Sequence, residues 1–290
     1  TITNGSTSYA VDLDSGGPYT VINAGTISTV KATSTISAIE IDEVAVTTLT
    51  NTGTMSAETV RSGAFGIHSY TYNDTTSITT LTNSGTISGE SGIDNGNGIW
   101  LETYYADNSI TTLTNSGTIS GEAGNSLGYG VRLSSYNADA SITTLTNTAT
   151  ISGSAGTDGY GVYLYSYDAD ASITTLTNSG TISGEAGTDG YGIYLYTGHP
   201  GSGNSTITNL TNKGTISGST YDIWNKDEDI INFNNQQGKA GNDVLTYNGK
   251  LPTNYNIIVA STSDYGQASF TDEEGTTNFG VSSSSTFSGS

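Results

Sequence analysis

Apolar and polar residues alternate along most of the chain, in short stretches separated by clusters of Gly, Asn, Asp and Ser. Two phrases carry this pattern. One reads LTNSGTISG and the other reads GVYLY or a close variant, and both are rich in residues that favour strands. No stretch shows a 3.6-residue apolar period, so the pattern predicts an all-β protein with almost no helix.

The first phrase is an internal repeat. Copies of SITTLTNSGTISG or near variants begin at Ser77, Ser109, Ser141, Ser172 and Thr206. With weaker N-terminal copies included, the asparagine of the phrase recurs every 28 to 34 residues, at Asn23, Asn51, Asn83, Asn115, Asn147, Asn178 and Asn212. A unit of about 31 residues is too short to bury its own apolar face, which favours one turn of a solenoid with three short strands. We therefore predict a right-handed parallel β-helix of about eight coils.

Strand parity gives the orientation of the side chains. Leu81, Asn83 and Ile87 share one parity and are predicted to face the lumen, whereas Thr82 and Ser88 face out. In-register stacking puts equivalent residues of successive coils about 4.8 Å apart. The asparagines are then expected to stack in a bend, where their amides bond to one another and to backbone groups, rather than to bind a ligand.

The repeat fades after Trp224, and the remaining sequence lacks its period. Alternation in YNIIVAS, GQASFTD and TNFGV predicts paired strands rather than coils, in a cap that covers the apolar end of the solenoid. We therefore divide the chain into a β-helix repeat domain, residues 1–236, and a C-terminal β cap, residues 237–290.

Composition excludes several classes of function. The 290 residues include 27 Asp or Glu but only 7 Lys or Arg, for a formal charge of −20, and no cysteine. A surface this acidic cannot neutralise a run of phosphates, so we expect no nucleic-acid partner and no adhesion to anionic lipid. The lack of cysteine excludes disulfides, zinc-thiolate sites and thiol nucleophiles. No apolar run of about 18 residues is present, so no transmembrane helix is predicted.

The second phrase supplies the candidate binding site. Its third and fifth residues are predicted to form two outward columns. These columns contain His68, Arg132 and six aromatic residues, which are the candidate binding residues: Trp100, Tyr163, Tyr165, Tyr194, Tyr196 and Trp224. Exposed aromatic strips bind sugar rings or protein partners because flat apolar faces lose water at little entropic cost. The alternative is that the stacked rings only stabilise neighbouring strands.

Two further arrays are candidates for binding. The outward threonines of the TLT triplets resemble the threonine grid of ice-binding β-solenoids, although Thr is also simply a good strand residue. Residues Gly238–Gly249 partly match the glycine-aspartate nonapeptide of calcium-binding repeats. The acidic loops could also hold calcium through oxygen ligands, or form only turns: Asp74, Asp107, Asp139, Asp168 and Asp170. We expect no cofactor and no metal site, with calcium as the alternative.

Catalysis has little support in the sequence. His68 and His199 have no serine-centred motif nearby, and there is no phosphate-binding glycine loop or two-histidine metal spacing. Near-identical coils give a uniform surface, whereas an active site requires one coil to differ. We therefore expect a protein that is not an enzyme and has no catalytic residues, with a polysaccharide-degrading β-helix enzyme as an alternative.

The repeat ITTLTNSGTISG, with GYGIYL between copies, is similar to the repeats of bacterial autotransporter passenger domains, the secreted part of type V secretion proteins. Residues 245–281 resemble the segment that joins some of these passengers to their outer-membrane barrel, and the barrel itself is not part of this sequence. The resemblance implies export across two membranes, a location at the bacterial cell surface or in the medium, and frequently adhesion. We therefore expect an extracellular adhesin or filament component whose partner is a glycan, a cell-surface protein or the end of another copy.

Overall fold

The computed structural model describes residues 2–4, 8–31, 33–199, 201–226, 228–238 and 244–286. These residues form thirty β-strands. They contain no helix that could span a lipid bilayer.

The strands of the first half, in chain order, are β1 (Ile2–Asn4), β2 (Tyr9–Leu13), β3 (Tyr19–Asn23), β4 (Thr26–Lys31), β5 (Ile36–Asp42), β6 (Ala45–Asn51), β7 (Thr54–Thr59), β8 (Ala64–Thr71), β9 (Thr76–Asn83), β10 (Thr86–Ser91), β11 (Gly96–Thr103), β12 (Asn108–Asn115), β13 (Thr118–Ala123), β14 (Leu127–Ser135) and β15 (Ala140–Asn147). Those of the second half are β16 (Thr150–Ala155), β17 (Asp158–Ser166), β18 (Ala171–Asn178), β19 (Thr181–Ala186), β20 (Asp189–Thr197), β21 (Ser205–Asn212), β22 (Thr215–Gly218), β23 (Tyr221–Lys226), β24 (Asp229–Asn235), β25 (Leu245–Lys250), β26 (Asn254–Ile257), β27 (Val259–Ser261), β28 (Asp264–Tyr265), β29 (Ala268–Glu274) and β30 (Asn278–Val281).

These strands form a parallel β-solenoid with three long sheets. Sheet A has eight strands and begins with β1 and β4, sheet B has ten and begins with β2 and β5, and sheet C has ten and begins with β3 and β6. Each turn visits sheets B, C and A in that order, so seven turns, from β2–β4 to β20–β22, carry strands in all three sheets. The predicted parallel solenoid is confirmed, with close to the predicted number of coils.

The core is a set of apolar columns along the lumen. Leu81, Leu113 and Leu145 pair in register on sheet C, and all three are fully buried. Ile87 and Ile119 pair in the same way on sheet A. The predicted parity is confirmed, because inward residues of β10 and of the second half of β9 alternate with residues that keep solvent contact.

The bend between sheets C and A depends on glycine. A Cβ atom at Gly85 would lie 1.9 Å from the carbonyl oxygen of Gly53, and one at Gly117 would lie 2.1 Å from the carbonyl oxygen of Gly85. Backbones of successive turns therefore approach closely at these positions and favour glycine, although Ala149 occupies the equivalent position of one turn. This confirms the predicted role of both glycines as tight-bend residues.

A ladder of buried asparagines lines the same bend. The Nδ2 of Asn83 donates to Asn115 Oδ1 at 2.8 Å and to the carbonyl oxygen of Thr118 at 3.0 Å, so the amide bonds both to its equivalent and to the backbone of the next turn. The column runs through Asn23, Asn51, Asn83, Asn115, Asn147, Asn178, Asn212 and Asn235. The predicted structural role of these asparagines is confirmed.

The tail departs from the prediction. Strands β25 and β29 extend sheet B, and β26 and β30 extend sheet C, all in parallel register. The prediction that this segment forms paired strands rather than coils was therefore wrong, because Tyr247, Tyr255 and Phe270 still alternate onto the lumenal side. Among the described residues only the small pair β27–β28 is antiparallel. The division at residue 236 stays a prediction.

Sheet A ends earlier than its two neighbours, at β22. The side-chain amide of Gln237 accepts a hydrogen bond from the backbone nitrogen of Ile216 at 2.8 Å and donates one to its carbonyl oxygen at 2.9 Å. The side-chain amide of Gln237 therefore takes the hydrogen bonds of Ile216 that a ninth strand would take, and it closes this edge against further pairing.

We predict that Asn115→Ala lowers the free energy of unfolding by about 2–4 kcal/mol, because it leaves buried partners of the amide without hydrogen bonds. These partners are Asn83, Asn147 and the carbonyl oxygen of Thr150. Urea denaturation measures the loss. Thr111→Ala, an exposed position on the same strand, is the matched control and is expected to change the value by at most about 0.5 kcal/mol. Equal losses in the two variants would contradict a stabilising ladder.

Candidate functional site

The outer face of sheet B carries three columns of side chains in strict register. The central column is Asp12, Glu40, His68, Trp100, Arg132, Tyr163, Tyr194 and Trp224. A second column two residues later in each strand is Asp42, Tyr70, Glu102, Ser134, Tyr165, Tyr196 and Lys226. A third, three residues earlier, is Tyr9, Ser37, Phe65, Asn97, Tyr129, Tyr160, Tyr191 and Tyr221. The six candidate residues thus lie in the two adjacent columns that the register predicted.

This face differs from the other two in that its residues change from turn to turn. Sheets A and C repeat Thr and Ser at the same outward positions. On sheet B the first turns carry carboxylates, the middle turns carry an imidazole, an indole and a guanidinium, and the later turns carry tyrosines. An active site requires such a difference between coils, and sheet B is the face whose side chains provide it.

The middle of the face contains a charged triad. His68 lies between two carboxylates, with its Nδ1 2.8 Å from Glu40 Oε1 and its Nε2 3.2 Å from Glu102 Oε2. The imidazole side chain is only 12% exposed, and the ring of Trp100 stacks on it at 4.8 Å. Burial lowers the pKa of His68, but the two carboxylates outweigh burial and raise this pKa to about 9.

Sequence reasoning did not identify the triad, because its members are 28 and 34 residues apart and only the register brings them together.

Beside the triad lies a cavity of about 300 Å³, lined by Ser8, Tyr9, Ser34, Thr35, Ser37, Glu40, Phe65 and His68. Both imidazole nitrogens of His68 already contact a carboxylate, so in this arrangement neither is free to bind a metal or to accept a proton from a substrate. The triad is suited to holding a proton rather than transferring one.

Arg132 occupies an aromatic box beside the triad. Its guanidinium carbon lies 4.4 Å from the ring centroid of Trp100 and 4.7 Å from that of Tyr129. The Nε donates to the hydroxyl of Ser134 at 3.0 Å, and the same hydroxyl accepts a hydrogen bond from the indole of Trp100 at 3.2 Å. Cation–π contacts and this shared hydroxyl fix both side chains relative to each other.

The later turns form a tyrosine patch, defined as Tyr129, Tyr160, Tyr163, Tyr165, Tyr191, Tyr194, Tyr196, Tyr221 and Trp224. The rings of Tyr163 and Tyr194 are nearly parallel, with an interplanar angle of 4° and centroids 5.3 Å apart. Trp224 continues the stack with its ring edge-on to Tyr194 at 5.0 Å. The packing gives a firm surface with ring faces and hydroxyl groups at defined positions.

The patch is less open than the sequence suggested. Tyr194 is only 9% exposed, and Tyr163, Tyr165 and Tyr196 are partly covered by their neighbours. The expectation of a freely exposed strip was wrong because the third column was missed: Tyr129, Tyr160 and Tyr191 pack against the central column. The GYG triplets at residues 128–130, 159–161 and 190–192 were the available signal. Ligand binding by the six candidate residues stays a prediction.

The patch ends at a cavity of about 280 Å³. Its lining consists of Tyr196, Thr197, Gly198, Gly201, Gly203, Asn204, Lys226 and Glu228. The Nζ of Lys226 lies 4.8 Å from the ring centroid of Tyr196, and Glu228 is a buried lining residue whose pKa is raised by burial. The cavity is formed within the longest interval of the repeat, between Asn178 and Asn212.

The loop aspartates have structural partners. Asp107 accepts the backbone N–H of Asp139 at 3.1 Å, Asp139 accepts that of Asp170 at 3.0 Å, and Asp170 accepts that of Asn204 at 2.9 Å. The described residues contain no group of three or more acidic or histidine side chains arranged to hold a metal ion. Of the calcium candidate Gly238–Gly249, residues 239–243 lie outside the described part of the chain. Calcium binding stays a prediction.

The threonine array of sheet C is in register over five turns. One column is Thr48, Thr80, Thr112, Thr144 and Thr175, and the other is Thr50, Thr82, Thr114, Thr146 and Thr177. All ten side chains are half-buried. The geometry of the grid agrees with its prediction from the repeat, and an ice-binding role for it stays a prediction.

Comparison with protein-family models, with curated proteins and with solved structures found no match to this chain. The assignment of function therefore depends on the geometry and chemistry of the three faces.

We predict that the stabilising contribution of His68 is complete below about pH 6.5, the unperturbed histidine pKa, and is lost as pH rises through about 9. The sign follows because the folded state raises the pKa of His68, so the folded protein binds the proton more tightly than the unfolded chain does. The measurement is the difference in free energy of unfolding between wild type and His68→Asn as a function of pH.

The matched control for this titration is His199→Asn, since His199 is exposed and its ion pair is with a single carboxylate, that of Asp168 at 2.7 Å. An exposed pair of this kind contributes at most about 1 kcal/mol. A His68 difference that stays constant or grows between pH 6.5 and 10 would contradict the protonated triad.

Proposed function

We propose that the protein is a non-enzymatic, extracellular β-helical surface protein that binds glycans through the tyrosine patch, as an adhesin does. The observation that carries this proposal is the continuous stack of Tyr163, Tyr194 and Trp224 with Tyr165 and Tyr196 beside it, over successive turns of one face. Sugar rings present flat C–H faces and hydroxyl edges, which match ring faces bordered by phenolic hydroxyls.

The packing of the patch favours binding. Rings already held by their neighbours lose little freedom when a ligand covers them, so less of the interaction energy is spent on ordering. Tyrosine supplies large contact area together with a polar group, which is why it is frequent in binding surfaces. Repetition along the rod presents several similar subsites to one polymer, and this raises the overall affinity through avidity.

The location at the bacterial cell surface is part of the same proposal. It is supported by the resemblance of the repeat and of residues 245–281 to autotransporter passengers. A chain without cysteine also needs no oxidative folding on its way out of the cell. A non-enzymatic role is supported by the occupation of both nitrogens of His68 by carboxylates.

A filament built by end-to-end stacking is a second candidate, favoured by the open last turn. Phe279 belongs to the lumenal column of Phe233 and Tyr255, yet it is 70% exposed because no other turn among the described residues covers it. Charge opposes this assembly: β29 ends in Asp272, Glu273 and Glu274, while Asp12 and the neighbouring Asp14 lie at the first turn of the same sheet. Like charges at the two ends would repel each other at neutral pH.

We predict discrete short rods at pH 7 and low ionic strength, because the acidic ends repel. Electron microscopy of the purified protein, together with light scattering, measures the length distribution. Long filaments under these conditions would contradict the charge argument and favour the structural role over glycan binding.

We predict that the double variant Tyr165→Ala/Tyr196→Ala weakens glycan binding about tenfold or more, since each ring contributes about 0.5–1.5 kcal/mol beyond its buried area. A glycan array identifies ligands of the wild type, and calorimetry then measures their affinity for each variant. Tyr265→Ala is the matched control, because Tyr265 lies in β28, away from the patch. Unchanged affinity in the double variant would contradict the proposed binding face.

A further inference from the structure

Arg132 is an unusual residue in this protein. The chain has 27 acidic residues and only 7 cationic ones, yet Arg132 forms no ion pair with any carboxylate in the described part of the chain. It is half-buried on the outer face of sheet B. A partly desolvated guanidinium without a counter-ion, in a molecule of charge −20, requires an explanation.

The surroundings of Arg132 hold the guanidinium without neutralising it. Three aromatic rings face it, those of Trp100, Tyr129 and Tyr163, at 4.4, 4.7 and 5.9 Å from the guanidinium carbon. Its Nε donates a hydrogen bond to the Ser134 hydroxyl. Its two terminal nitrogens make no hydrogen bond to the described residues and are not among the buried unpaired atoms, so they keep access to solvent.

This arrangement is preorganised for a carboxylate. A guanidinium binds a carboxylate through two parallel N–H···O bonds, and it does so more strongly where stacked rings exclude water. The aromatic box fixes the orientation of the planar group before a ligand arrives, which reduces the entropy lost on binding. A purely structural arginine would gain nothing from leaving its terminal nitrogens unpaired.

A second cation lies at the other end of the patch. Lys226 contacts the ring of Tyr196 at 4.8 Å, lines the cavity of about 280 Å³ and pairs with no carboxylate among the described residues. Three turns separate the strand of Arg132 from that of Lys226, which is about 14 Å at about 4.8 Å per turn. The tyrosine patch therefore has one cation at each end.

We propose that the tyrosine patch recognises an acidic oligosaccharide, in which a uronic-acid carboxylate binds Arg132 and a second carboxylate binds Lys226. The proposal rests on the proposed glycan-binding function and names its substrate class. The sugar rings between the carboxylates contact the solvent-accessible parts of Tyr163, Tyr165 and Tyr196. The net charge of −20 does not forbid this ligand, since charges more than about 8–10 Å away are screened at physiological salt, while the two contacts are direct.

The test compares two oligosaccharides that differ only in charge: a β-1,4-linked glucose oligomer, and the same oligomer with each C6 oxidised to a carboxylate. Calorimetry with wild-type protein is expected to give at least tenfold tighter binding of the oxidised oligomer. Arg132→Gln is expected to remove most of this preference while it leaves the affinity for the neutral oligomer within a factor of about three.

Lys213→Gln is the matched control, since it makes the same change of net charge at an exposed position in the bend between sheets C and A. It is expected to keep the preference. The near-ultraviolet circular dichroism of each variant reports whether the tyrosine packing is retained, and Arg132→Lys, which keeps the charge but not the planar fork, is expected to be intermediate.

Four outcomes would overturn the proposal, and they separate it from the function on which it rests. Equal affinity for the two oligomers, or an unchanged preference in Arg132→Gln, overturns acidic recognition but leaves glycan binding intact. Binding of neither oligomer overturns both. Oligoglutamate that binds as tightly as the oxidised oligomer overturns the assignment of the ligand as a sugar.

Discussion

In-register stacking of successive turns is the constraint on which the rest of this structure depends. Each residue of a turn lies directly above its equivalent in the turn before. A residue type that recurs at one position must therefore pack well against copies of itself in a column. Leucine and isoleucine meet this condition in the lumen, and asparagine meets it in the bend, where each amide both donates to and accepts from its neighbours. Glycine meets it where backbones approach to within the space of a Cβ atom.

The same constraint explains where function can reside. Columns of identical residues on sheets A and C give surfaces that repeat from turn to turn. Sheet B departs from this repetition, and its columns change from carboxylate to imidazole, indole, guanidinium and phenol along the axis. Because the backbone beneath is uniform, these side chains are positioned by register alone. Charge on sheet B therefore varies along the axis: the first turns are acidic, and the later turns carry the tyrosine patch, with Arg132 and Lys226 at its two ends.

The sequence was sufficient for everything that repetition determines. The spacing of the asparagines predicted the turns, and parity predicted that Leu81 and Ile87 are buried. What it did not predict was contact between columns. Tyr160 precedes the GVYLY phrase in the strand that carries Tyr163, and Tyr129 lies in the strand of the turn before. Glu40 meets His68 only through stacking, so none of these contacts follows from the spacing within one phrase. The strands after Trp224 were misassigned because their sequence no longer matches the repeat, although Tyr247 and Phe270 still fill the lumen.

The central claim is that ligands bind at the tyrosine patch and not elsewhere on the rod. Nuclear magnetic resonance of protein labelled at its 19 tyrosines, titrated with the oxidised oligosaccharide, tests this claim most directly. The account predicts saturable shifts of the ring signals of Tyr163, Tyr165 and Tyr196, with those of Tyr9 and Tyr265 unchanged. Shifts confined to tyrosines outside the patch, or no shifts at saturating ligand, would contradict it.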